Sequence, residues 1–209
     1  MSTLEFIWDG PDRAPACVIL AHGAGAAMDT PFMNAFAEGI AATGLRVGRF
    51  EFPYMARHRQ DGRRRPPDRQ PVLLACWQQA IEAAGPRNRL VIGGKSMGGR
   101  MASLIADDAA VLGLLCLGYP FHAAGRPDRV RTQHLATIRT PTLICQGERD
   151  TMGNRVEVEG YDLSDAIRFC WLQDGDHSFK PRKASGTSED ANFERALSAI
   201  TNFVTYITE

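Results

Sequence analysis

A chain of 209 residues, 44% hydrophobic and 23% charged, holds enough apolar material for one well-buried core and is short for two, so a single domain is expected. Its 24 basic residues balance 24 acidic ones, which leaves no global field to draw it to nucleic acid or to a membrane surface. The five cysteines, Cys17, Cys76, Cys116, Cys145 and Cys170, are odd in number, lie mostly in apolar runs and form no C-x-x-C pair. That pattern fits buried small hydrophobes in a reducing cytoplasm better than a disulfide framework, a redox motif or a metal site. The start, Met1-Ser-Thr-Leu-Glu-Phe6, lacks a basic region with a long apolar core, and no apolar run nears the roughly 18 residues of a membrane span.

Residues 3–8 alternate loosely and end in Asp9-Gly10-Pro11-Asp12, an edge strand followed by a turn. Cys17 to Ala21 is a short apolar run of the kind buried on both faces of a parallel sheet. It opens into His22-Gly23-Ala24-Gly25-Ala26, whose small side chains let the backbone close on a ligand. Pro31 to Thr43 places Phe32, Phe36 and Ile40 four residues apart behind a capping Thr30, and predicts a helix ending at Gly44. Leu45 to Phe52 reads as the next strand. From Pro53 to Pro71 periodicity is lost and a long loop is expected. It carries Arg57, Arg59, Arg63, Arg64, Arg65 and Arg69 against Asp61 and Asp68, the one strong charge imbalance in the chain. Two readings stand for it: a solvated surface, or a rim on which Arg63, Arg64 and Arg65 recognise an anionic group. Leu73, Trp77 and Ile81 predict a helix over 72–84, stopped by Gly85-Pro86.

The stretch that organises the rest is residues 90–99, an apolar run breaking into Gly93-Gly94-Lys95-Ser96-Met97-Gly98-Gly99 before a helix-like segment over 100–106. Gly94 to Gly98 fits G-x-S-x-G, in which a serine sits in a strained strand-to-helix turn and flanking glycines admit close backbone approach. A phosphate-binding loop ending Gly94-Lys95-Ser96 would need a glycine at position 89, which is Arg89. If Ser96 is a nucleophile, the amide of Met97 at the helix start points at the oxygen of a bound acyl group, and the early glycine loop supplies the second oxyanion donor. Ala24 is the candidate there, ahead of Gly25 and Gly23. His22 precedes the nucleophile in the chain and reads as a tether of its loop.

Val111 to Leu117 is another apolar strand, and Gly118 to Gly125 at its carboxyl end offers Tyr119, Phe121 and His122 as pocket walls or as packed turn residues. About twenty residues separate it from the strand Thr142 to Gln146, too few for a large lid, so an open site is expected. Asp150 stands beyond that strand and is favoured over Glu148 as an acid; an Asx-turn is its alternative. Ala166 to Leu172 is the last strand, and His177 lies in the loop after it, with Asp174 and Asp176 too close in sequence to orient it from behind. Glu189 to Tyr206 is a helix with Phe193, Leu197, Ile200 and Val204 on one face. Ser96, Asp150 and His177 thus follow three separate strands, in an order that makes coincidence a poor explanation.

Through Ala21 to Gly25, Gly93 to Arg100, Tyr119 to His122, Gln146 to Asp150 and Gly175 to Phe179, the chain resembles the α/β-hydrolase superfamily and, within it, the small dienelactone-hydrolase-like group. More narrowly it is similar to the lidless KANL3/testis-expressed-type hydrolase domain, which shares an Arg-Pro-Pro-Asp-Arg loop like residues 65–69. The resemblance implies a single α/β-hydrolase domain over 1–209, a mostly parallel sheet flanked by helices, a Ser96, Asp150 and His177 triad, and no metal or organic cofactor. It does not bring a substrate, because dienelactone hydrolases use a cysteine nucleophile. The expected activity is that of a serine esterase or thioesterase on a small-molecule acyl substrate, with neither nucleic acid nor membrane as partner. A homodimer, a protein partner and a non-catalytic interaction module on the same fold stay open.

Overall fold

The computed structural model describes residues 4–209. Along β2 (Cys17–Ala21), Val18 and Leu20 face one way and Ile19 and Ala21 the other, and all four are fully buried. A strand apolar on both faces must be covered on both. The same division runs through β4 (Leu90–Lys95), β5 (Gly113–Leu117) and β6 (Thr142–Gly147), giving two cores. One lies under α2 (Pro53–Asp61), α3 (Gln70–Ala84) and α4 (Met97–Ser103), with Trp77 at its centre. The other lies under α1 (Pro31–Ala41) and the C-terminal α7 (Glu189–Thr208), built on Met33, Phe36, Ile40, Ile200 and Phe203. Each such side chain taken from water contributes roughly 1.5–3 kcal/mol.

Seven strands form one sheet in the order β1-β3-β2-β4-β5-β6-β7, with β3 spanning Arg46–Phe50 and β7 spanning Ile167–Leu172. Among the described residues only β1 (Phe6–Asp9) runs antiparallel, and it lies on the edge, as its loose alternation predicts; the expected start at Thr3 lies outside the described residues. The register decides where chemistry can occur. Ala21 pairs with Gly94, Lys95 with Leu117, Leu117 with Cys145 and Gly147 with Leu172. The parallel strands therefore end together, and the loops after them share one edge of the sheet.

Thr30 caps α1 through Met33 N, as expected. One expectation fails: the segment after Phe52 is not irregular throughout, because Pro53 to Asp61 is helical. Phe52 is extended, Pro53 presets the first turn and Gly62 ends it in the left-handed region at φ 70°. The helix carries no apolar stripe, which is why its sequence hides it; only Tyr54 and Met55 are buried. Ion pairs seat it instead. Arg59 reaches Glu51 at 2.7 Å and Asp29 at 2.9 Å, and Arg57 reaches Asp68 at 2.8 Å. The helix after Ser96 begins at Met97, as the placing of its amide at the helix start expects, but ends at Ser103, short of the expected 106, and gives way to the short α5 (Ala106–Ala109).

Candidate active site

Ser96 stands between β4 and α4 at φ 50° and ψ −111°, a conformation that costs a non-glycine residue of order 1–3 kcal/mol. Packing imposes it. A Cβ on Gly94 would lie 2.0 Å from the carbonyl oxygen of Ala21, and one on Gly98 would lie 2.3 Å from the same atom. With both glycines pressed on β2, the chain turns in the one residue between strand and helix that is free to strain. Ser96 N donates to Leu117 O at 3.1 Å, which fixes the turn against β5.

Asp150 follows β6 in a loop and is fully buried, while His177 follows β7 with 23% of its side chain exposed. Asp150 Oδ2 accepts from His177 Nδ1 at 2.6 Å, a charge-assisted distance. Its remaining capacity is also used: Oδ1 accepts from Met152 N at 2.8 Å and Oδ2 from Gln146 Nε2 at 3.0 Å. In the tautomer that donates to this carboxylate, His177 carries its proton on Nδ1 and leaves Nε2 bare as an acceptor. Among the described residues neither Nε2 nor Ser96 Oγ hydrogen-bonds the other. Glu148 and Asp174 serve elsewhere: Glu148 pairs with Arg155 at 3.1 Å, and Asp174 is held well below the usual carboxylate range, at about 2, by Arg182. Asp176 closes its own turn on Ser178 and Lys180.

Of the candidate oxyanion donors, Gly25 is already engaged, its amide donating to Tyr54 Oη at 3.2 Å. The amides of Ala24 and Met97 meet no acceptor among the described residues. A Cβ on Gly23 would lie 3.6 Å from Ser96 Cβ, so this loop borders the serine. His22 holds it there. Its Nδ1 donates to Gly23 O at 2.8 Å and its Nε2 accepts from Phe52 N at 3.1 Å; burial lowers its pKa and keeps it neutral.

Tyr119, Phe121 and His122, expected as walls or as packed turn residues, are buried at 0%, 0% and 2% exposure. Tyr119 and Phe121 pack against each other in the core with tilted rings 4.8 Å apart, and His122 faces Glu157 at 3.4 Å. Arg65 pairs with Asp61 at 2.5 Å, while Arg63 and Arg64 are exposed and their side chains bond nothing among the described residues. A recess of about 540 Å³ lined by Trp8, Cys17, Arg46, Arg89 and Leu90 opens at the opposite, amino edge of the sheet and touches none of these groups.

Two functional neighbours escape a reading of the sequence. Gln146 bridges Asp150, Tyr119 O and Gly153 O, and accepts from Tyr119 N at 2.7 Å; the signal for it is a lone amide closing an apolar strand. Lys95 donates to the backbone oxygen of His177 across 82 residues, and nothing local announces that. A second serine and histidine also meet on α4: Ser103 Oγ lies 2.8 Å from His134 Nε2 and donates to Arg100 O at 2.8 Å.

Comparison with known proteins agrees with this architecture. A serine hydrolase homologue from Coxiella burnetii superposes with a TM-score of 0.68 at 18% identity, over 97% of this chain and 91% of the other. A dienelactone hydrolase from Anabaena variabilis gives 0.69 at 20% identity, over 95% and 91%. A lidless serine hydrolase from Xanthomonas campestris gives 0.64 at 18%, over 97% and 88%. At such identities these likenesses establish the fold. Residues 14–205 match the family described as the alpha/beta hydrolase domain, nearly the whole of the chain, and the protein therefore belongs to the α/β-hydrolase family.

Proposed function

We propose that the protein is a serine hydrolase that cleaves a small acyl ester or thioester through Ser96, His177 and Asp150. The observation that carries this reading is the 2.6 Å bond between His177 Nδ1 and a fully buried Asp150 on the strand edge that also bears a strained serine. As Ser96 Oγ attacks the acyl carbon, its proton passes to His177 Nε2. Asp150 holds the tautomer and supports the imidazolium, and the amides of Met97 and Ala24 receive the oxyanion. His177 then returns the proton to the leaving group, and water repeats the sequence on the acyl-enzyme. His177 acts only when neutral, so turnover rises as it loses its proton.

The test is labelling by a fluorophosphonate probe, with turnover of 4-nitrophenyl acetate and a matched thioester, in wild type and Ser96→Ala. Labelling at Ser96 that the variant abolishes supports the reading. Wild type that neither labels nor turns over any acyl substrate assigns the fold to a binding role. Anionic acyl groups remain a proposed preference, narrowed to Arg63 and Arg64 because Arg65 is paired. Equal rates on an anionic ester and its neutral isostere in low salt would remove it.

A further inference from the structure

Lys95, the variable residue before the serine in G-x-S-x-G, has no role in the reaction just described, yet its side chain is aimed into the site. Its ammonium donates to the carbonyl oxygen of His177 and lies 5.1 Å from the centroid of Phe32 and 5.5 Å from that of Phe179. A Cβ on Gly118 would meet Lys95 Nζ at 2.7 Å, His177 O at 2.8 Å and His177 Nδ1 at 3.3 Å. Gly118 is thus the gap through which a side chain on β4 reaches the backbone of the histidine beyond β7. No carboxylate lies within ion-pair distance of Nζ among the described residues. The charged groups facing it are Asp150, from the loop after β6, and Asp176, from the turn that also carries His177; α1 contributes the ring of Phe32.

Apolar surroundings argue against an ammonium kept for packing alone. Between two phenylalanine rings a methionine would fill the same space without the cost of desolvating a charge. Beyond a cation–π attraction to the two rings, what the cation supplies is a strong donor to one carbonyl, and that carbonyl belongs to the triad histidine. We propose that Lys95 is a positioning residue, whose protonated side chain ties the backbone of His177 to the nucleophile turn and so holds the imidazole within reach of Ser96. This rests on the serine hydrolase reading above.

Burial lowers the Lys95 pKa to about 8, with Asp150 and Asp176 opposing the shift. The charge that strengthens the tie is therefore present below about pH 8 and lost above it, where the neutral amine is a weaker donor. The stability linkage has the opposite sign. An unfolded lysine titrates near 10.4. Between the two values the unfolded chain holds more protons, so through this group the fold gains stability as pH rises. Activity and stability part company over that interval. A group that merely supported the fold would move them together.

The experiment follows 4-nitrophenyl acetate turnover and fluorophosphonate labelling from pH 6 to pH 9 in wild type, Lys95→Met and Lys95→Arg, with thermal unfolding at each pH. Wild type is expected to lose kcat at constant KM above about pH 8 without a parallel fall in Tm. Lys95→Met should show kcat reduced about tenfold or more at pH 7, KM within twofold and no alkaline limb. Lys95→Arg, which keeps its charge, should recover part of kcat and carry no limb near pH 8. An alkaline limb that persists in Lys95→Met, or a kcat equal to that of wild type, overturns the proposal. Should the variants not fold, NMR of wild type decides: the Lys95 side chain must titrate together with the downfield Nδ1 proton of His177, and independent titrations overturn the tie. If Ser96 does not label at any pH, the hydrolase reading has failed instead, and the NMR titration still tests the contact.

Discussion

Two serine–histidine pairs have their serines on α4 or its cap, and only one has the arrangement that the proposed chemistry needs. Ser103 and His134 form the better hydrogen bond, at 2.8 Å, whereas Ser96 and His177 form none in the free protein. The difference lies in where the protons go. Ser103 spends its hydroxyl proton on Arg100 O and so accepts from His134, which makes that imidazole a donor. Among the described residues no carboxylate holds the far side of His134: Tyr119 Oη meets the same Nε2 at 3.4 Å, and burial, aided by the charge of Arg100, lowers the pKa to about 4. Ser96 is itself strained at φ 50°, no carbonyl among the described residues claims its proton, and its histidine presents a bare nitrogen because Asp150 holds the other. A short serine–histidine distance is thus a poor sign of a nucleophile. The acid behind the imidazole and the strain at the serine are better ones.

That comparison can be broken at either pair. Ser96→Ala should fold and lose acyl turnover by a factor on the order of 10³ or more; retained covalent labelling would show that Ser103 or another group is the nucleophile. Next in size, Asp150→Asn should cut turnover by at least roughly 10² at unchanged secondary structure, since the amide holds the imidazole in the wrong tautomer. Equal damage from Glu148→Gln would undo the assignment of the acid. Gln146→Leu removes a donor to Asp150 without touching the reacting atoms, and a loss of about tenfold in kcat with KM unchanged would sharpen the role of the carboxylate.

At the other pair the expected effects are structural and small. Ser103→Ala should leave labelling of Ser96 intact and cost about 1–2 kcal/mol in denaturant unfolding, the worth of its two part-buried hydrogen bonds with Arg100 O and His134 Nε2. Because the folded pKa of His134 lies below its unfolded value, its contribution to stability is full above about pH 6.5 and is lost as pH falls toward 4. His134→Gln should flatten that part of the Tm profile. A variant with the wild-type profile would mean that His134 does not titrate with unfolding.

The carboxyl-edge placement of Ser96, Asp150 and His177 was legible in the sequence because each follows its own apolar run, and parallel strands deliver their ends to one side. The strand and helix positions followed from the same alternation and spacing, with boundaries shifted by one to three residues. The helix over Pro53–Asp61 was not legible, since ion pairs to Glu51, Asp29 and Asp68 replace the apolar stripe that periodicity detects. The buried state of Tyr119 and Phe121 was only half legible: a strand end predicts proximity to the site but not which way a ring turns. Lys95 and Gln146 were hidden for a different reason. Their partners are set by register between distant strands and, for Lys95, by a missing side chain at Gly118.

The crowding at the nucleophile turn also sets how descendants of this chain can vary. A side chain at Gly93 would strike the backbone of Leu115, one at Gly94 or Gly98 the backbone of Ala21, and one at Gly99 the carbonyl of Gly94. Backbone cannot yield by changing rotamer, so four of the seven positions from 93 to 99 are closed to mutation and a fifth is the serine itself. Inherited change near Ser96 is channelled into Lys95 and Met97, one facing the histidine and the other opening α4. In a library randomised over 93–99 and selected only for folding, diversity should survive at those two positions and at Ser96, and selection for turnover should then close Ser96.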